Sequence, residues 1–192
     1  APLTFKNQRQ MVMANTDALG RAVDSHIQLK DSQEPKVKRE PLTYNPVGWH
    51  NYNFYYKKSD GSIGKMWLMA RGHLVPETAW FNGGNFTGTN DGNTASMLYY
   101  ENRLDSWLAN HPNYYLDYQV TPLYEGNELL PRQIRLAYVG IDKNGQTLSI
   151  KLGGGREKSG NGGATVVVLD NVAPNAKINY ADGTAVNTVS PK

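Results

Sequence analysis

The chain has no cysteine in its 192 residues. That excludes a disulfide framework and any thiolate-bound metal centre. A metal here must be held by His, carboxylate, carboxamide or water, which favours a hard ion such as Mg²⁺, with Mn²⁺ as its substitute. Long apolar runs are missing too, and none approaches the roughly 20 residues of a membrane span. Neither charge sign dominates: 20 Lys and Arg face 17 Asp and Glu, for a net charge of +3 and a pI of about 9.0. That balance favours a polyanionic partner but falls well short of a nucleic-acid coat protein. It also argues against a sequence-specific DNA-binding protein, as does the lack of a recognition-helix pattern. The opening Ala1-Pro2-Leu3-Thr4 carries neither Met nor a charged-then-apolar leader. Such a start is expected of a processed, secreted chain or of a trimmed one.

What is plentiful is Gly (19) and Tyr (12), which points to a turn-rich, strand-rich protein. The length supports a single domain over residues 1–192 with a sizeable core. Residues 5–31 carry a partial 3.6-residue period through Ala18, Ala22, Val23, Ile27 and Leu29, which predicts a helix capped near Asn15-Thr16-Asp17. The proline-punctuated stretch 35–46 reads as a connection. The aromatic run 49–56 and the run 65–69 read as two strands around a turn at Ser59-Asp60-Gly61-Ser62. With a later helix they make a ββα unit. Residues 82–93 are rich in Gly, Asn and Thr and predict an irregular loop. Thr94 then caps a helix to Asn110, with Met97, Tyr100, Glu101, Leu104, Trp107 and Leu108 along one stripe. Strands are predicted over 115–123, 133–141, 147–152 and 164–169, with a hairpin signal at Asn144-Gly145, a flexible loop over 153–163 and a last hairpin around Asp182-Gly183. The expected class is α+β, an antiparallel central sheet with flanking helices.

The chemically specific stretch is Met69-Ala70-Arg71-Gly72-His73-Leu74, followed by Thr78-Ala79-Trp80-Phe81-Asn82. Gly72 lets the backbone turn sharply before the imidazole. A neutral His73 can take a proton from water near pH 7, and an Arg71 guanidinium can hold a phosphate oxygen through two hydrogen bonds. Asn82 offers a carboxamide oxygen of the kind Mg²⁺ accepts, or it caps a turn. Glu101 lies on an apolar helix stripe, where a carboxylate is costly unless paired. It either orients waters around a metal or pairs with a surface Lys. Arg132 and Arg135 flank a strand start, either as phosphodiester contacts or as ordinary surface charge. His26 and His111 read as structural, and His50 as a residue at a strand start.

The Arg-Gly-His step, the Thr-Ala-Trp-Phe-Asn run and Tyr99-Tyr100-Glu101-Asn102-Arg103 together resemble the DNA/RNA non-specific endonucleases of the ββα-metal (His-Me finger) superfamily, and most of all the secreted streptococcal DNases. The likeness extends from Leu19-Gly20-Arg21-Ala22 through Gly48-Trp49-His50-Asn51 to Val120-Thr121-Pro122-Leu123-Tyr124. The resemblance implies that His73 is the general base and Asn82 the direct protein ligand of Mg²⁺. It implies that Glu101 holds metal-bound waters and that Arg71 is the arginine of the motif. It further implies cleavage of DNA, and in many members RNA, to 5′-phosphate ends. Two features depart from the family pattern. Ala70 stands where the family has Asp, and only nine positions separate His73 from Asn82. Either the segment between them is truncated or a stretch is absent between Leu74 and Thr78, and the absent stretch is the expectation.

Two readings therefore stand: a secreted, monomeric, Mg²⁺-dependent endonuclease acting on DNA, with RNA as a further substrate, and a non-catalytic module that binds glycan or protein through its tyrosines.

Overall fold

The computed structural model describes residues 1–34, 45–73, 85–89 and 92–191, with backbone alone for 70–73, 85–89, 92–96 and 98. Its centre is a seven-stranded antiparallel sheet. The strands in chain order are β1 (Gln10–Met13), β2 (Ser25–Leu29), β3 (Asn53–Lys57), β4 (Ile63–Trp67), β5 (Met69–His73) and β6 (Asn85–Thr89). After the helix α1 (Gly92–Asn110) come β7 (Tyr115–Leu123), β8 (Gln133–Ile141), β9 (Thr147–Leu148), β10 (Lys158–Ser159), β11 (Thr165–Asp170), β12 (Ala176–Ile178) and β13 (Ala185–Asn187). The main sheet runs β1-β2-β7-β8-β11-β10, with β9 added on β8, while β3-β4, β5-β6 and β12-β13 are separate two-stranded sheets.

The long strands follow from sequence. β7 and β8 occupy the expected 115–123 and 133–141 and pair along their whole length, from Tyr115 opposite Ile141 to Leu123 opposite Gln133. Their front face, with Leu116, Tyr118, Val120, Ile134, Leu136 and Tyr138, meets the helix. The α1 stripe also holds: Met97, Tyr100, Leu104 and Leu108 are buried in the same cluster, and burial of such side chains contributes about 1.5–3 kcal/mol each.

The N-terminal helix expected over 5–31 is not there; those residues form β1 and β2, which pair with each other and then with β7. A period of two decides the outcome. Met11, Met13, Ile27 and Leu29 turn to the core with the α1 stripe, while their neighbours turn to the back face. Asp17 does not cap a helix. Its carboxylate accepts the amides of Leu19 and Arg21 and the Arg21 side chain, closing a loop between the strands. Among the described residues α1 is the one α-helix, so the flanking helices reduce to one.

The back face is polar and covered by the first residues of the chain. Asp117 accepts the Leu3 amide at 3.0 Å and Gln28 at 3.0 Å, and sits 2.5 Å from the His26 ring. Gln28 in turn donates to the Leu3 carbonyl, and Phe5 meets Tyr115 edge-on. His26 is structural as expected, on a strand instead of a helix.

Several boundaries differ. β3 and β4 form the expected hairpin, but the two strands that directly precede α1 are β5 and β6, so β6 falls inside the stretch expected to be irregular. The helix begins at Gly92, two positions before Thr94. The strand expected over 147–152 ends at Leu148, and the expected flexible loop 153–163 is pinned by one carboxylate. Glu157 accepts the amides of Leu152 and Gly153 and the Tyr138 hydroxyl. β10 and a short 3-10 turn at Asn161–Gly163 then lead into β11. The step from Leu74 to Thr78, where a stretch is expected to be absent, lies outside the described residues, as does Asn82. Most of the expected connection at 35–46, namely 35–44, lies outside the described residues.

A second core joins the chain's middle to its end. Leu68, Met69, Leu130, Ala173 and Tyr180 are buried there, with Trp49, Tyr52, Phe54 and Ile178 against them. Two asparagines clasp it. Asn187 accepts the Tyr55 amide and donates to the Tyr55 carbonyl, and Asn175 donates to the same carbonyl. At the rim, Gly183 has φ +80 and a side chain there would run into the Gly48 carbonyl.

Gly183→Ala therefore meets both a left-handed backbone and a backbone clash, and should cost about 2–4 kcal/mol; thermal unfolding would show it as a lowered Tm, and an unchanged Tm would refute the close approach. A second expectation concerns Glu157. Burial raises its carboxyl, but hydrogen bonds from Tyr138, Leu152 and Gly153 outweigh that and hold it below the usual carboxylate range. Its contribution is thus complete above the unfolded carboxylate pKa and fades as pH falls through the lower folded value. Glu157→Gln should lower stability by about 1–2 kcal/mol near pH 7, and the gap from the parent protein should close in acid, as read by urea unfolding at pH 7 and pH 3.

Candidate active site

β5 carries the Arg71-Gly72-His73 step to its last position. Its partner β6 sets Arg71 opposite Thr87, Gly72 opposite Phe86 and His73 opposite Asn85. Three positions after the end of β6, α1 begins, and it packs against both β5 and β6 as well as β11. The strand that ends in the histidine and the helix that carries Glu101 are thus joined through one hairpin. The Arg71 and His73 side chains, and Asn82 as a whole, lie outside the described residues.

Glu101 is half-buried at the edge of the α1 stripe, one residue past the buried Tyr100 and three before the buried Leu104. Below it on β7 is Tyr118, 2 % exposed, whose hydroxyl has no hydrogen-bond partner. Burial chiefly, then the nearby Glu101, Tyr138 and Asp105, push that phenol well above its ordinary range, so it keeps its proton. Sequence reasoning passed over Tyr118. The signal available was its place in the strict alternation of β7, on the face that α1 covers. On the same helix Arg103 lies over the Tyr99 ring at 3.4 Å, and Tyr99 donates to the Leu152 carbonyl.

The other candidates sit elsewhere. Arg132 forms a bidentate pair with Glu128, with both bonds at 2.7 Å, and stacks on Tyr180 at 4.2 Å. Hydrogen bonding to Glu128 raises its already high pKa. Arg135 alternates with Ile134 and Leu136, which face α1, and so points to the back of the sheet, between Thr121 and Val168. His50 contacts the Asp182 carbonyl at 2.9 Å and stacks on Tyr52. His111 meets the Trp107 carbonyl at 2.7 Å at the end of α1, a structural part as expected. The Leu19-Gly20-Arg21-Ala22 motif is structural too: Arg21 donates to the carbonyls of Gly126 and Glu128 and lies over Tyr124.

Comparison with known proteins agrees with this arrangement. The model of the DNA/RNA non-specific endonuclease family matches residues 3–140. Among solved structures, an extracellular endonuclease is 39 % identical with a TM-score of 0.76, covering 96 % of this chain and 89 % of that one. An extracellular nuclease is 37 % identical with a TM-score of 0.73, covering 97 % of each chain. NucA from Streptococcus agalactiae with magnesium ion bound shares the fold at 17 % identity and a TM-score of 0.67, covering 94 % of this chain and 78 % of that one. No curated protein matches. The chain belongs to the DNA/RNA non-specific endonuclease family, and it is a nuclease. The non-catalytic binding module is thereby set aside.

The family implies a divalent metal, and the donors present suit one. The chain offers no thiolate. Among the described residues no three of His, Asp and Glu gather into a cluster that would hold an ion by itself. A half-buried carboxylate near a buried, unsatisfied hydroxyl fits a hydrated hard ion that takes few protein ligands.

The pairing of Arg132 yields a prediction. Arg132→Ala should lower the Tm by releasing Glu128 and Tyr180 while leaving KM for DNA near its parent value; a severalfold rise in KM at unchanged Tm would make it a substrate contact instead.

Proposed function

We propose that the protein is a secreted endonuclease that hydrolyses DNA, and RNA as well, to 5′-phosphate ends with a divalent ion, Mg²⁺ before Mn²⁺. The observation that carries the reading is the β5–β6–α1 unit, with His73 closing β5 and Glu101 on the helix that packs against it. The order strand, strand, helix is that of a ββα-metal motif. Asn82 stands three positions ahead of Asn85, the residue paired with His73. Asn82 and Glu101 are the residues that would hold the ion, Asn82 through its carboxamide oxygen and Glu101 through surrounding waters. The bound ion would neutralise phosphate charge and stabilise the leaving oxygen.

The chain's own residues supply the rest. His73 takes a proton from the attacking water, which approaches in line with the leaving oxygen. Arg71 binds a non-bridging phosphate oxygen through its planar fork. Arg132 and Arg135 carry no part of this reading, since Arg132 is engaged with Glu128 and Arg135 lies on the back face. Secretion accords with the two similar structures, above one-third identity, that are extracellular nucleases.

The test is plasmid degradation. The parent protein with Mg²⁺ should cleave supercoiled DNA and lose the activity in EDTA, and cleavage should weaken as salt rises because phosphate contacts release counterions. His73→Ala should lower the rate by about 10²–10⁴-fold, the usual worth of a general base, with an unchanged circular dichroism spectrum. Near-parent activity in that variant would refute the role of His73.

A further inference from the structure

Among the described residues, one buried side-chain polar atom has no hydrogen-bond partner, and it is the hydroxyl of Tyr118. Buried polar atoms are almost always satisfied, so an orphan points to a water, an ion or a group that engages only in the working state. The comparison with Tyr138 sharpens the point. The two tyrosines are register partners on β7 and β8 and share the face covered by α1. Tyr138 donates to Glu157 at 2.6 Å and so has a structural use for its hydroxyl. Tyr118 has none, and a phenylalanine would fill the same space without an unsatisfied oxygen. The groups whose charge reaches Tyr118 most strongly are Glu101, then Tyr138, then Asp105. Glu101 and Asp105 stand one turn apart on α1, beside the buried Tyr100 and Leu104 that pack with Tyr118.

We infer that Tyr118 is a positioning residue of the hydrolytic site: its hydroxyl, buried beneath α1, donates a hydrogen bond to the Glu101 carboxylate or to a water held by it, and so fixes the carboxylate that orients the waters around the divalent ion. The inference rests on the role proposed for Glu101. A phenol suits this task because it keeps its proton at neutral pH and brings a single donor. Its ring is clamped between packed side chains of a nine-residue strand, so the donor cannot wander. Partners one layer behind a metal's ligands commonly act in this way, by fixing orientation.

The experiment compares Tyr118→Phe, Tyr138→Phe, Glu101→Gln and the double variant Tyr118→Phe/Glu101→Gln in the full chain. Three quantities are read: Tm in EDTA, Mg²⁺ affinity by titration calorimetry, and kcat and KM on duplex DNA. Tyr118→Phe should keep or raise the metal-free Tm, yet lose about 10–100-fold in Mg²⁺ affinity or kcat, with KM nearly unchanged. Tyr138→Phe should do the reverse, with a lower Tm and parent-like Mg²⁺ affinity. Adding Tyr118→Phe to Glu101→Gln should change Mg²⁺ affinity no further, because the two act as one unit. Parent-like Mg²⁺ affinity and kcat in Tyr118→Phe, with Glu101→Gln impaired, overturns the inference and leaves the nuclease reading intact. Parent-like behaviour of Glu101→Gln overturns the role of Glu101 and this inference with it. Failure of the parent protein to cleave DNA in Mg²⁺ would strike at the functional reading itself.

Discussion

Met97, Tyr100, Leu104 and Leu108 sink into the front of the β7–β8 sheet, and their burial sets both the position and the rotation of α1. Everything at the site inherits that constraint. Glu101 falls at the stripe's edge because Tyr100 and Leu104 on either side are committed to the core. The β5–β6 hairpin has its place because it rests on the same helix. Tightly packed interiors tolerate little sliding, so a helix seated this way holds a carboxylate in one orientation without a dedicated scaffold of loops.

The two faces of the sheet solve burial differently. The front is apolar and is covered by the helix. The back is polar: the Asp117 carboxylate is shared among His26, Gln28 and the Leu3 amide, and the first residues of the chain lie over it. A buried carboxylate is tolerable only when its oxygens are satisfied, and here the chain terminus completes the set. This division explains why β2 is buried at every position although His26 and Gln28 alternate with Ile27 and Leu29.

Where the sequence was informative, one period dominated over a long enough stretch. The nine-residue strands β7 and β8 and the stripe of α1 are such cases, and their limits were readable almost to the residue. The N-terminal segment misled because scattered alanines mimic a helical period, while the true signal, the alternation of Met11 with Met13 and of Ile27 with Leu29, spans only four and five residues. β6 was hidden because Asn85 and Gly88 interrupt the strand signal of Phe86, Thr87 and Thr89 until a partner such as β5 is supplied. The order in the 153–163 loop depends on a distant hydroxyl, that of Tyr138, which no local pattern announces. Arg71, His73, Asn82 and Glu101, the residues of the proposed site, stood out in the sequence by residue type and motif. Tyr118 did not, because a tyrosine in a buried strand looks the same whether or not its oxygen has a partner. Arg132 drew attention through its charge, yet that charge is spent on Glu128 and Tyr180.

The asparagine clasp has a consequence for how the histidine strand is held. Leu68 and Met69, the residues that lead directly into the Arg71-Gly72-His73 strand, pack on Ala173 and Tyr180, and the clasp that closes this core comes from Asn175 and Asn187. The wall that this strand leans on is thus supplied by segments more than a hundred positions further along the chain. Loosening Asn175 or Asn187 would therefore disturb the root of the histidine strand without touching a residue that does chemistry. The strand that ends in His73 is anchored by distance in sequence as much as by its immediate neighbours.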